Sequence, residues 1–201
     1  MTTARSYLAL GDSYSIGEGV AAADRWPVQL AEQLRKLGIA TAEPAILATT
    51  GWTTDELAHA MDGASLPPPY DLVTLQIGVN NQYRSRALDE YRQQFGDLLT
   101  RAIHLAGDRA AHVMVLSIPD WGVTRFAREH GRDGALIANE LDQFNAVAQE
   151  EVQRVGAVWV DVTAISRQKP EMVVADGLHP SAAQYALWVG QILPNARGIL
   201  S

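Results

Sequence analysis

Five short apolar runs, each followed by a turn and then by a segment of helical periodicity, constrain this chain more than any other feature. They are Tyr7 to Leu10, Ala45 to Ala48, Leu72 to Ile77, Val113 to Ile118 and Ala157 to Val162. Runs this brief and uninterrupted read as strands buried on both faces. The segments between them repeat apolar residues at helical spacing. Trp26, Leu30, Leu34 and Leu37 form one stripe, Leu88, Tyr91, Phe95, Leu99, Ala102 and Ala106 a second, and Leu141, Phe144, Ala148, Val152 and Val155 a third. Pro27 suits the first helical position of the first stripe, and Gly38 falls just past its end. Thr53 with Glu56 makes a capping-box signature for a helix ending near Met61. A last helix is expected from about Ser181 to Ile192, with Tyr185, Trp188 and Ile192 on one face. This alternation predicts an α/β fold, a mostly parallel sheet with helices on both faces. The stretch from Pro119 to about Gly134 is too long for a plain connection and reads as a binding or lid segment.

With 201 residues and no internal repeat, low-complexity tract or composition break, the expectation is one domain over residues 1–201. A hydrophobic content of 47% excludes disorder. The net charge of −7, with dispersed basic residues, gives no electrostatic footprint for nucleic acid or an anionic membrane. The absence of cysteine excludes disulfides, thiolate metal sites and a cysteine nucleophile, and fits a reducing compartment. No apolar run approaches the roughly 20 residues that a membrane span needs. Met1 to Ser6 is too short and polar for the apolar core of a secretory signal, so a cytoplasmic protein is expected, a trimmed leader aside.

Chemistry concentrates where strands end. Gly11-Asp12-Ser13 follows the first run directly, and ligand sites of open α/β sheets lie outside the carboxyl ends of strands. A serine there is a candidate nucleophile if another segment supplies a base. Alone, it reads as a solvated turn residue. Asp176-Gly177-Leu178-His179 precedes the last helix. An aspartate three residues before a histidine can accept from the inner imidazole nitrogen, leaving the outer one free to take a proton from a serine. In isolation such a pair would merely turn the chain; beside a strand-end serine the catalytic reading gains. Gly51 follows the second run and Asn80 the third.

These four segments, Gly11-Asp12-Ser13, Gly51, Gly78-Val79-Asn80 and Asp176-Gly177-Leu178-His179, together resemble the SGNH (GDSL-type) hydrolases, in the family's order along the chain. The resemblance implies a three-layer α/β/α sandwich around a flavodoxin-like five-stranded parallel sheet of order 2-1-3-4-5. It also implies ester hydrolysis through an acyl-enzyme, without metal or cofactor. By residue it implies Ser13 as nucleophile, His179 as base and then acid, and Asp176 as the group orienting it. The backbone N–H groups of Ser13 and Gly51 and the Asn80 amide would form the oxyanion hole. Two departures stand out: the third block reads Asn80-Asn81 where Asn-Asp is usual, and the second lacks the asparagine commonly found ahead of its glycine, Gly51. The substrate implied is a small carboxylic ester or thioester, and because 201 residues leave little room for a lid domain, acyl chains of short to medium length are expected. A carbohydrate deacetylase using the same triad is the alternative within the class, and a non-enzymatic flavodoxin-like binding domain the alternative outside it.

Trp121 and Phe126 suit an apolar wall for an acyl chain, and equally core packing or a partner surface. Asp12 and Asp161 read as structural. His59, His104 and His112 have no partners at metal-ligand spacing, and His130 lies in the long connection, at a surface or a pocket wall. Gly17-Glu18-Gly19 lacks the Lys-Ser/Thr that would follow in a phosphate loop.

Overall fold

The computed structural model describes residues 3–201; Met1 and Thr2, part of the N-terminal stretch read above, lie outside the described residues. In chain order the elements are β1 (Tyr7–Gly11), α1 (Ser13–Ile16), α2 (Trp26–Lys36), β2 (Ala45–Ala48), α3 (Thr54–Gly63), β3 (Leu72–Gln76) and α4 (Val79–Tyr83). There follow α5 (Leu88–Leu105), β4 (Val113–Leu116), α6 (Arg125–Glu129), α7 (Gly134–Val155), β5 (Val158–Val160), α8 (Thr163–Gln168) and α9 (Ala182–Leu200). The five strands pair in the order β2-β1-β3-β4-β5, every pair parallel, which is the expected topology.

Right-handed crossovers dictate where the helices go. The step from β1 to β2 runs one way along the sheet, and all later steps run the other way. The first crossover helix, α2, therefore covers one face, and α3, α5 and α7 cover the opposite one. Contacts agree: α2 packs on α9, while α5 packs on both α3 and α7. Trp26, Leu30 and Leu34 of α2 are fully buried, as are Trp188 and Ile192 of α9. Burying each such side chain contributes about 1.5–3 kcal/mol. The order reverses at β1 and β3, so the crevice between their carboxyl ends is where a ligand site should form.

The differences from the sequence reading are local. Leu37, placed above on the buried stripe of α2, caps the helix and is 49% exposed. Pro27 is the second rather than the first helical residue. The last helix does not stop at Ile192 but continues through Pro194 to Leu200. Proline removes one helical hydrogen bond, yet Ala196 and Leu200 extend the buried stripe beyond it, so packing carries the helix on. The Pro119 to Gly134 stretch is not an open loop. It holds a 3-10 turn at Trp121–Val123 and the helix α6, started by Asp120 and Thr124, whose side chains accept from the N–H groups of Gly122 and Ala127. The capping box of α3 forms as expected, with the Glu56 carboxylate accepting the Thr53 N–H at 2.8 Å. Among the described residues, no helix is long and apolar enough to cross a membrane.

Candidate active site

Asp12 leaves β1 and caps α1: its Oδ1 accepts the Tyr14 N–H at 3.1 Å. Ser13 is the first residue of that helix, so its own N–H has no intrahelical acceptor. Burial pushes the Asp12 carboxyl up to about 7, the Tyr14 N–H opposing this only in part, and Oδ2 is buried without a partner among the described residues. The unfolded chain ionises Asp12 near 3.8, so as pH rises from there to about 7 the folded state retains a proton the unfolded state has lost. Stability from this group is complete below that window and lost across it. Asp12→Asn keeps the capping oxygen and removes the titration. The variant is expected to melt close to wild type at about pH 4 and several degrees above it at about pH 8. Thermal melts at the two pH values check this; equal offsets at both would contradict it.

The second segment is a tight turn. The Trp52 N–H donates to the Thr49 carbonyl at 3.3 Å, and Gly51 has φ +88°, the positive angle that the third position of a type II turn requires. Arg84 holds the Gly51 carbonyl at 2.6 Å, and the Thr50 hydroxyl donates to Glu18 in the serine loop. Thr50 thus ties the turn to the segment carrying Ser13.

Asn80 lies on α4, a helix that the sequence reading missed because five residues show no periodicity. One hydrogen of its amide goes to the Trp52 carbonyl at 2.9 Å, which leaves the second free. Asn81 is fully buried; its Oδ1 accepts the Thr54 N–H at 3.1 Å and its Nδ2 donates to the Thr54 hydroxyl at 2.7 Å. That hydroxyl spends its own proton on Gln94 and must be an acceptor here. An amide serves both bonds and an ionised carboxylate could not, which explains the Asn80-Asn81 departure physically.

The last segment is a loop closed by a bridge between Val173 and Pro180 and by a 2.8 Å bond from the Val174 N–H to the His179 carbonyl. Inside it, Asp176 Oδ1 accepts the N–H groups of Leu178 (2.8 Å) and His179 (3.0 Å), while Oδ2 meets His179 Nδ1 at 2.6 Å. Partial burial pushes the Asp176 carboxyl up, but the bonds from the imidazole and the two N–H groups outweigh it and hold the group below the usual carboxylate range. An ionised Asp176 can only accept, so Nδ1 carries the proton and Nε2 presents a lone pair.

Ser13, Gly51, Asn80 and His179 line one cavity of about 180 Å³, with Tyr14, Thr50, Val79, Tyr83, Trp121, Phe126 and Leu178. Ser13 and His179 are 5% and 9% exposed, enough to be reached from it. No direct bond joins the Ser13 hydroxyl to the imidazole among the described residues, and catalytic hydrogen bonds often tighten only in the substrate complex. Trp121 belongs to the buried core and Phe126 packs against it, and both also line this cavity, so the core and wall readings hold together. The Trp121 indole donates to Gln82 at 2.8 Å, and Gln82 in turn donates to Glu140 at 2.6 Å, which fixes the ring. Tyr83, one turn after Asn80, was missed above, although the shared helix face of Val79 and Tyr83 would have pointed to it. His130 is exposed and stacks on Phe126, ring centroids 4.1 Å apart. Asp161 accepts from the Ser117 hydroxyl and the Thr163 N–H, a structural use as expected, beside a larger cavity of about 410 Å³ that contains none of the four motif residues. No group of three or more His, Asp or Glu is placed to hold a metal among the described residues.

The chain is a carboxylic ester hydrolase by family. The chain belongs to the GDSL-like lipase/acylhydrolase family, whose model matches residues 9–187. Among solved structures it resembles TesA (20% identity, 98% of this chain and 100% of that one covered, TM-score 0.73). It also resembles the lipase/acylhydrolase from Enterococcus faecalis (22%, 98% and 97%, TM-score 0.73). A third is Axe2, an acetylxylan esterase from Geobacillus stearothermophilus (16%, 96% and 94%, TM-score 0.75). At these identities the likeness is one of fold. No curated protein matches the sequence.

Proposed function

We propose that the whole chain works as one hydrolase domain in which Ser13 attacks the ester carbonyl and His179 Nε2 takes its proton. Asp176 holds the imidazole and offsets the charge it gains. The N–H groups of Ser13 and Gly51 and the free Asn80 amide hydrogen receive the oxyanion. His179 then protonates the leaving alcohol, and a water activated by the same imidazole releases the acyl group. The observation that carries this reading is the convergence of four segments, distant in sequence, on one cavity with their donors and lone pairs free. Asn80→Ala is expected to lower kcat about a hundred- to thousandfold with KM little changed, since the amide meets charge that develops only in the transition state. Steady-state kinetics check it, and a loss confined to KM would contradict it.

Cavity size bears on the substrate. A volume of about 180 Å³ lies below the roughly 300–1,000 Å³ of pockets that enclose drug-sized ligands, and its wall is apolar: Val79, Tyr83, Trp121, Phe126 and Leu178. We infer a preference for acyl chains of short to medium length. A series of 4-nitrophenyl esters from acetate to palmitate is expected to peak in kcat/KM at the shorter members; a maximum at palmitate would contradict it. Acetyl esters of carbohydrates fall inside this range, and the fold likeness to Axe2 makes acetylated xylo-oligosaccharides the natural second substrate to assay.

A further inference from the structure

The aromatic wall of the cavity carries a cation that the proposed mechanism does not use. Helix α6 ends with Gly131 at φ +62°, a left-handed angle that reverses the chain. The Gly131 N–H then donates to the Arg128 carbonyl at 3.2 Å and the Arg132 N–H to the Ala127 carbonyl at 2.9 Å, the paired bonds of a Schellman motif. The reversal returns Arg132 across the wall. Its guanidinium carbon lies 5.3 Å from the Tyr83 ring centroid and 5.4 Å from that of Trp121, and both rings line the cavity beside Ser13. Two cation–π contacts, to rings inclined at 61° to each other, hold the group without using its N–H donors.

Those donors have no protein acceptor among the described residues, in a chain with a net charge of −7. The carboxylates of the surrounding elements are engaged elsewhere. Glu129 pairs with Arg125 at 3.5 Å, Asp133 caps the Ala135 and Leu136 N–H groups, and Glu140 accepts from Gln82. Neighbouring arginines are also spent: Arg128 donates to the Val123 carbonyl at 2.7 Å, and Arg84 to Gly51 and Glu56. Arg132 is thus a guanidinium oriented by aromatic rings and left without an anion, within one ring of the cavity proposed for the acyl group.

We infer that Arg132 is a specificity residue that selects esters whose acyl chain ends in a carboxylate, the half-esters of dicarboxylic acids. The inference rests on the proposed hydrolase reading, with the acyl group against the Tyr83 and Trp121 wall. A carboxylate at the end of a short chain would meet the planar, two-pronged donor geometry that guanidinium offers and an ammonium does not.

The test compares 4-nitrophenyl hydrogen adipate with its neutral isostere, 4-nitrophenyl methyl adipate, after subtraction of spontaneous hydrolysis. The wild-type chain is expected to favour the anionic ester in kcat/KM, and Arg132→Gln to lower the anionic-to-neutral ratio about tenfold. Arg132→Lys should restore part of it. The preference should weaken as salt is raised from about 0.05 to 0.5 M, because Arg132 is exposed. A wild-type ratio near one, or a ratio that Arg132→Gln leaves unmoved, would overturn the assignment. So would an Arg132-dependent preference seen only with the anion on the alcohol side, read with 4-(butanoyloxy)phenyl phosphate against phenyl butanoate. Turnover of the neutral ester that disappears in Ser13→Ala supports the hydrolase reading separately, so a failure of one reading is distinguishable from a failure of the other.

Discussion

Ser13→Ala is expected to lower kcat on any ester by about five to six orders of magnitude, and His179→Ala by a similar factor. The two losses should not add. Nucleophile and base act as one unit, so the double variant is expected to fall no further than either single one. What survives is the residual rate that oxyanion donors and binding sustain alone. Neither change should unfold the chain: Ser13 makes its helix contacts through its backbone, and Asp12 rather than Ser13 caps the turn. Single-turnover kinetics on a 4-nitrophenyl ester, with melting curves to show that the variants are folded, check the prediction. Additive losses in the double variant would mean that the two residues act independently.

The second large effect is at Asp176. Its two oxygens are both committed, one to the imidazole and the other to the Leu178 and His179 N–H groups. Asparagine offers one acceptor where two are needed. If its oxygen keeps the N–H groups, its NH₂ faces Nδ1 and forces the proton onto Nε2, so the base presents a donor to the serine. If it turns the other way, the loop loses its two bonds. Asp176→Asn is therefore expected to lower kcat about a thousand- to ten-thousandfold. The lower part of that range is favoured because the Asp176 side chain is 40% exposed, which lets water share the task of fixing the ring. The result to look for is a fall in kcat with KM nearly constant. A loss of less than tenfold would remove Asp176 from the machinery.

The parallel sheet was legible because it rests on patterns that run along the chain, whereas its strand order came from the family resemblance that the four motif segments carry. Five apolar runs alternate with helical stripes, and Gly11-Asp12-Ser13 and Asp176-Gly177-Leu178-His179 sit where strands and loops present them to one crevice. The elements that escaped, α1, α4, α6 and α8, have four to six residues each, too few for a stripe to show. Two of them, α1 and α6, start on single polar residues, Asp12 and Thr124, which look in sequence like ordinary turn formers. Tyr83 and Arg132 escaped for a different reason. Tyr83 reaches the cavity from a short helix and Arg132 reaches the Tyr83 and Trp121 rings through a chain reversal, and no spacing rule links position 132 to position 83 or 121. The extension of α9 past Pro194 shows tertiary packing carrying a helix through a residue that disfavours it.

The central claim is that one hydroxyl in this chain is activated for covalent attack. Intact-protein mass spectrometry after treatment with a fluorophosphonate probe tests it most directly, followed by peptide mapping of the adduct. The account predicts one adduct per chain, located on Ser13, formed rapidly in the wild type and absent from Ser13→Ala. Equal labelling of the two proteins, or an adduct mapped to another residue, would contradict it.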